Sequence, residues 1–300
     1  MDMLTLSHVA KRFGEKQVLT DVSFSVPEHT IFGFVGQNGA GKTTTMKLIL
    51  GLLAADSGSI TVNGEPVHFG RNKTNRHIGY LPDVPEFYGY MTPTEYLTFC
   101  GEISGMPADS LNPRIKELLD LVGLSLEARR IHGFSRGMKQ RLGIAQALLH
   151  RPQLLICDEP TSALDPIGRK EILDILTAAK EQTTVVFSTH ILSDVERICD
   201  EIAFLKDGAI ALKGPLEAIK SAHKSAGFTV ELASPKDANA LAAAFPAARQ
   251  LGKASFLFDE KDPTTMEAVL AFLLEQHIPI LKIERREPTL ESLFLEISGK

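Results

Sequence analysis

No run of this sequence approaches the eighteen or so consecutive apolar residues that a membrane-spanning helix requires. Its first residues, MDMLTLSHVAKRF, lack the continuous apolar core of a signal peptide, so a cytosolic chain is expected. Cysteine is scarce. Cys100, Cys157 and Cys199 stand far apart without metal-ligand spacing, which leaves three buried thiols as the simplest expectation. There is no long basic run, and 32 Lys and Arg against 37 Asp and Glu give a net charge of −5. The electrostatic footprint of a nucleic-acid-binding surface is therefore missing, and no nucleic-acid partner is expected. Tyrosine is rare and confined: all four, Tyr80, Tyr88, Tyr90 and Tyr96, fall between positions 80 and 96, with Phe87 and Phe99 among them. Tyrosine joins a large apolar face to a polar tip, so such a cluster marks either an interface or the packing of a local helical segment.

What is present suffices for one large and one small domain, since 44% of the 300 residues are hydrophobic. Between an apolar strand-like run, IFGFVG, and a helix-like run, MKLILGLL, stands GQNGAGKTTT, in which Ala40 is the only apolar side chain. A glycine turn running into a helix start leaves backbone N–H groups unpaired at the positive end of the helix dipole, which is an anion site. Gly36, Gly41, Lys42 and Thr43 match G-x-x-x-x-G-K-[ST], so the loop Gly36, Gln37, Asn38, Gly39, Ala40, Gly41 and Lys42, with Thr43 and Thr44, is expected to cradle phosphates. Lys42 would reach the β and γ phosphates and Thr43 a magnesium ion. Many ATPases, GTPases and kinases share this loop, and it does not choose among them.

Strand-like runs at 4–9, 22–26, 31–35 and 59–62 flank that loop and its helix, and 154–157, 184–188 and 202–205 are short apolar runs separated by helical patterns, as in a parallel sheet covered on both faces. Residues 93–150 read as mainly helical, entered through a capping box at Thr92 and Glu95 with Pro93 in the first turn. From about residue 220 the rhythm changes to strand, helix, two strands, helix and strand (228–232, 235–245, 250 with 255–258, 264–276, 278–285), a ferredoxin-like order, followed by an amphipathic helix at 290–297. No catalytic-looking group stands out there, and a regulatory or dimer-forming role is expected.

The segment QLLICDEPTSALDP separates the P-loop families. A buried strand ends in Asp158 and Glu159, and in a parallel sheet the carboxyl ends of strands face the ligand crevice. Asp158 can hold magnesium; Glu159 can orient and polarise the water that attacks the γ phosphate.

With these residues in place, residues 1–215 resemble the nucleotide-binding subunit of an ATP-binding cassette (ABC) transporter. FSRGM (134–138) stands where that family has LSGGQ, opening a helix expected from about Lys139 to Leu149; SALD (162–165) matches the D-loop, His190 the switch histidine, and Phe13 the aromatic that stacks on adenine. The resemblance implies ATP and magnesium as cofactors, catalysis by Glu159, His190 and Lys42, and an ATP sandwiched between the P-loop of one subunit and Ser135 and Gly137 of another. It implies an α/β fold: a P-loop ABC-type ATPase core with an antiparallel β subdomain and a helical insert, plus a small α+β C-terminal domain. The ATPase domain is expected at 1–219, with its insert at about 92–150, and the accessory domain at 220–300. Two positions depart from the family pattern. Arg136 replaces a glycine and Met138 a glutamine in the signature, and Asp83 stands where the Q-loop usually has glutamine, as a candidate magnesium or water ligand.

The SRGMKQR signature and the tail PTLESLFL (288–295) narrow the resemblance to ATP-binding subunits of the ABC-2 export class. That implies a separate transmembrane permease, a second copy or a related ATPase subunit as dimer partner, and a peripheral location on the inner face of the cell membrane. It also assigns the tyrosine-rich segment to the surface that receives the permease. A soluble ABC ATPase acting on ribosomes or nucleic acid and a P-loop small-molecule kinase remain the alternatives.

Overall fold

The computed structural model describes residues 1–70, 73–222, 227–258, 264–285, 289–291 and 293–294. They divide into two compact units, Met1–Glu217 and Ala218–Lys300.

The first unit begins with a long hairpin, β1 (Asp2–Phe13) and β2 (Lys16–Pro27), in which buried Leu4, Leu6 and Val9 are interrupted by the less buried Thr5, Ser7 and His8. Then come β3 (Ile31–Gly36), α1 (Lys42–Ile49), β4 (Ser57–Val62), the two-residue β5 (Glu65–Pro66) and β6 (Ile78–Leu81). Three helices follow, α2 (Pro93–Ile103), α3 (Ala108–Leu121) and α4 (Arg136–Leu148). The chain closes the unit with β7 (Leu154–Asp158), α5 (Pro166–Ala179), β8 (Thr184–Thr189), α6 (Leu192–Ile198), β9 (Glu201–Lys206) and β10 (Ala209–Pro215), and α7 (Leu216–Ala222) leads onward.

All ten strands form one sheet in the order β5-β4-β1-β2-β10-β9-β3-β8-β7-β6. Its half from β9 to β6 is parallel, and every residue of β3, β7 and β8 is buried, as continuous apolar runs covered on both faces require. The half from β5 to β2 is antiparallel and alternates. A single bridge, Ala209 opposite Asp21, and one further backbone bond, Thr20 N–H to Gly208 O at 2.8 Å, join the halves.

The expected helical insert is real, and its capping box forms: Thr92 Oγ1 accepts from Glu95 N–H while Glu95 Oε2 accepts from Thr92 N–H. Helix α4 starts at Arg136, three residues before the expected Lys139, because Ser135 caps it. It lies hard against β6, where a Cβ on Gly79 would collide with Ala147 O. Strands β6 and β10 were not legible as periodic runs. Of the cysteines, all free, Cys157 alone is fully buried; Cys100 and Cys199 are partly exposed, which corrects the expectation of three buried thiols.

The second unit runs β11 (Phe228–Leu232), a 3-10 turn Pro235–Asp237, α8 (Ala238–Ala244), β12 (Arg249–Gln250), β13 (Ser255–Phe258), α9 (Met266–Glu275) and β14 (Ile280–Arg285). Its antiparallel sheet has the order β12-β13-β11-β14, with a core around Phe228, Val230, Phe256, Phe258 and Leu273. The single helix expected at 235–245 is split, its first turn tightened to 3-10 where Pro235 follows the capping Ser234. Half of the expected helix at 290–297, and residues 288, 292 and 295 of the PTLESLFL tail, lie outside the described residues. No helix among the described residues is long and apolar enough to cross a membrane.

Candidate active site

The loop between β3 and α1 lies at the carboxyl edge of the parallel strands. Gly41, the residue before α1, has φ +113°, a conformation that side chains disfavour, and a Cβ there would meet Leu19 Cδ2 at 2.7 Å. No side chain caps α1, so its first amides have no side-chain acceptor. Lys42, at the first position of α1, is only 6% exposed. Its Nζ donates to Gly36 O at 2.7 Å and Gln37 O at 3.2 Å and lies 3.0 Å from Glu159 Oε1. A buried ammonium is tolerable only with such compensation.

The two carboxylates at the end of β7 diverge. Asp158 is buried and accepts the Ser188 hydroxyl at 2.5 Å. Glu159 takes φ +49°, its N–H shared between Ser188 O and Ser188 Oγ, which turns its side chain toward the loop. There Oε2 lies 2.9 Å from His190 Nδ1. Oε1 is buried, held by the charge of Lys42 with no donor in hydrogen-bond geometry.

These groups line a cleft of about 580 Å³. Phe13, Asn38, Gly39, Gly41, Lys42, Thr43, Thr44, Asp83, Glu159 and His190 all face it. Gly36 and Gln37 serve it through their carbonyls on Lys42, and Ala40 N–H closes the loop onto Gln37 O. Asp158 lies behind the lining. Three lining residues escaped the sequence reading: Lys16, Val18 and Ser162 as a wall residue. Lys16 was findable, because it pairs with Phe13 across the β1–β2 hairpin and shares its edge of the cleft. Phe13 is half exposed at that rim, with Lys11 Nζ 5.4 Å from its ring centroid.

Ser135 and Gly137 are absent from the cleft lining of their own chain. Ser135 Oγ accepts from Met138 N–H at 3.2 Å. Arg136 instead reaches back to the cleft, its Nη2 donating to Asp83 Oδ1 at 3.3 Å. Burial pushes the Asp83 carboxyl above the ordinary carboxylate range, against the pull of Arg136 and with the help of Asp158 and Glu159. Asp165 of the SALD segment accepts from Gly168 N–H and caps α5.

The aromatic cluster splits. Tyr96 is buried, donates to Gln146 Oε1 at 3.0 Å and meets Phe87 edge-on. Tyr80 is half-buried in β6, and burial raises its phenol to about 12. Tyr88 and Tyr90 are exposed beside each other, and Val84 is exposed on the same segment.

The family model described as "ABC transporter" matches residues 19–162, and one described as "ATP-binding protein DrrA1-3-like, C-terminal domain" matches residues 214–298. The uncharacterized ABC transporter ATP-binding protein YxlF of Bacillus subtilis (strain 168) is 38% identical over 297 residues, covering 98% of this chain and 99% of that protein. The linearmycin resistance ATP-binding protein LnrL of the same strain is 34% identical over 314 residues, covering 99% of each. A solved ATP-binding subunit of an ABC transporter superposes with a TM-score of 0.66 at 32% identity, over 73% of this chain and 92% of that one.

Proposed function

Because the chain belongs to the ABC transporter ATP-binding family, whose members bind and hydrolyse ATP, we propose that it drives export of a drug-, antibiotic- or lipid-like cargo through a separate transmembrane permease. It would work on the inner face of the cell membrane, as a dimer with a second copy or a related ATPase subunit that ATP closes. The convergence of Lys42 and Glu159 at 3.0 Å in one cleft carries this reading. A buried cation for the β and γ phosphates and a carboxylate for the attacking water are then side by side. Adenine would stack on Phe13, the loop amides and Thr44 would hold phosphate, and His190 would meet the γ phosphate.

Thr43 and Asp158 offer a hydroxyl and a carboxylate, hard oxygen donors that fit magnesium. Bound there, the ion would neutralise phosphate charge. Asp83 faces the same cleft with its carboxylate engaged by Arg136, so we leave it out of that donor pair. That Ser135 and Gly137 lie outside their own cleft supports a second subunit supplying them. The export direction draws on LnrL, named for resistance and matched along its whole length. Tyr88 and Tyr90 supply the exposed aromatic surface for the permease.

The purified chain should release phosphate from ATP with no acceptor present, and affinity capture from detergent-solubilised membranes should recover one integral membrane protein with it. ATP turnover that requires a small-molecule acceptor and leaves the phosphoryl group on it would favour a kinase, and recovery with ribosomes instead of a membrane protein would overturn the transport reading.

A further inference from the structure

Asp83 and Arg136 are the two charged residues that stand where the family resemblance leads one to expect uncharged ones, and the fold brings them into contact. Asp83 follows β6 and faces the cleft with Lys42 and Glu159, while Arg136 opens α4. Two bonds tie them. Arg136 Nη2 meets Asp83 Oδ1 at 3.3 Å, and Gln140, one turn further along α4 and fully buried, donates Nε2 to Asp83 O at 2.8 Å. The backbone bond fixes where Asp83 stands; the guanidinium fixes where its carboxylate points.

Both side chains of the pair are close to half exposed. An ion pair so open contributes little to folding, so its consequence has to be sought in the cleft that Asp83 lines. Three carboxylates, Asp83, Asp158 and Glu159, are within electrostatic reach of one another there. Glu159 is countered by Lys42 and touched by His190, and Asp158 is hydrogen-bonded by Ser188. Asp83 has Arg136. Any polyphosphate entering the cleft adds several negative charges, and an uncompensated Asp83 would repel it.

We propose that Arg136 is a positioning residue for nucleotide binding, acting through Asp83: it holds and neutralises the carboxylate on the α4 side of the cleft, so that the nucleotide of the same chain meets half of an ion pair instead of a bare anion. This rests on the reading of the cleft as the ATP site. It gives the signature segment a task within its own subunit, separate from the one proposed for Ser135 and Gly137 across a dimer.

The test is a double-mutant cycle on the full chain, comparing the parent, Arg136→Ala, Asp83→Asn and the double variant. Equilibrium affinity for ATP without added divalent cation is read by displacement of a fluorescent trinitrophenyl nucleotide, and kcat and KM are read separately with magnesium. Arg136→Ala should weaken ATP binding and raise KM by about fivefold at low salt, shrinking as added KCl screens the charge, with kcat nearly unchanged. Arg136→Lys should retain the parent affinity. Asp83→Asn should bind slightly tighter than the parent, and in the Arg136→Ala background it should restore affinity to within about twofold of the parent. Unchanged affinity in Arg136→Ala overturns the proposal. So does a loss that persists in full in the double variant, since Arg136 would then act without Asp83. A parent that binds no ATP would instead remove the reading of the cleft itself, before any variant is compared.

Discussion

Helices α1 and α4 both start at glycine-bearing turns suited to an anion, yet they begin in opposite ways. Before α1, Gly41 sits at φ +113° with no side chain closing the first turn, and Lys42 is sunk against Glu159. Before α4, Ser135 closes the first turn on Met138 N–H, and a Cβ on Gly137 would find only Leu164 Cδ2, at 3.9 Å. The first start is open and takes a backbone conformation that glycine reaches without cost, so its donors are kept for something outside the protein. The second is satisfied by its own chain and has a hydroxyl proton left to give. On the function proposed above, one start would be a site within a single subunit and the other a surface that a second molecule would complete.

The largest effect should come from Glu159→Gln, which keeps shape and hydrogen bonding but removes charge and basicity. Turnover should fall about 100-fold to 10,000-fold while ATP still binds, and the variant should run as an ATP-dependent dimer in size-exclusion chromatography. Adding Ser135→Arg should return it to monomer. A Glu159→Gln chain that stays monomeric with ATP at high concentration, with the permease present, would break the contrast between a complete site and a half-site.

Lys42→Ala comes next. It removes the buried cation of the open start, and ATP affinity, read by calorimetry, should drop by about tenfold to a hundredfold, the worth of a charge-assisted hydrogen bond. Unchanged affinity would remove α1 from the site.

The glycines sharpen the comparison on stability alone. Gly41→Ala should cost about 1–3 kcal/mol, because φ is positive and Leu19 is in the way. Gly137→Ala sits in a helix with open space and should leave the fold unchanged or gain up to about 1 kcal/mol. Chemical denaturation of both variants tests this, and equal losses would show that the α4 start depends on its glycine as much as the α1 start does.

The smallest effect on the isolated chain should be that of Tyr88→Asp. This ring is half exposed, so ATPase activity and melting temperature should hold while recovery with the membrane fraction falls. A lower melting temperature with unchanged recovery would mean that Tyr88 only packs against Phe99, which it meets edge-on.

What was legible in the sequence follows from which forces are local. The P-loop, the Asp158–Glu159 strand end and the Thr92 capping box are set by neighbours in the chain, and each stands where its motif placed it. Strand β6 was missed because four residues make no period, and it exists by pairing with β7, far along the chain. The contact between Asp83 and Arg136 is hidden in the sequence for the same reason: the two residues lie 53 positions apart, and only the docking of α4 on β6 makes them one feature. The fate of the tyrosines depended on burial, which separates Tyr96 from Tyr88 though both read alike.

The ten-stranded sheet has its thinnest join between β2 and β10, where one bridge and the Thr20 to Gly208 bond do the work of a full ladder. Phe13 and Lys16 belong to one side of that join, Lys42 and Glu159 to the other, and all four wall the same cleft. Backbone pairing across that seam is sparse, and Lys213 Nζ adds a bond to Ser23 O at 3.0 Å. A ligand that fills the cleft would act as a strut between the two halves, converting occupancy into rigidity, and slowed amide exchange at Thr20 is where that stiffening would register.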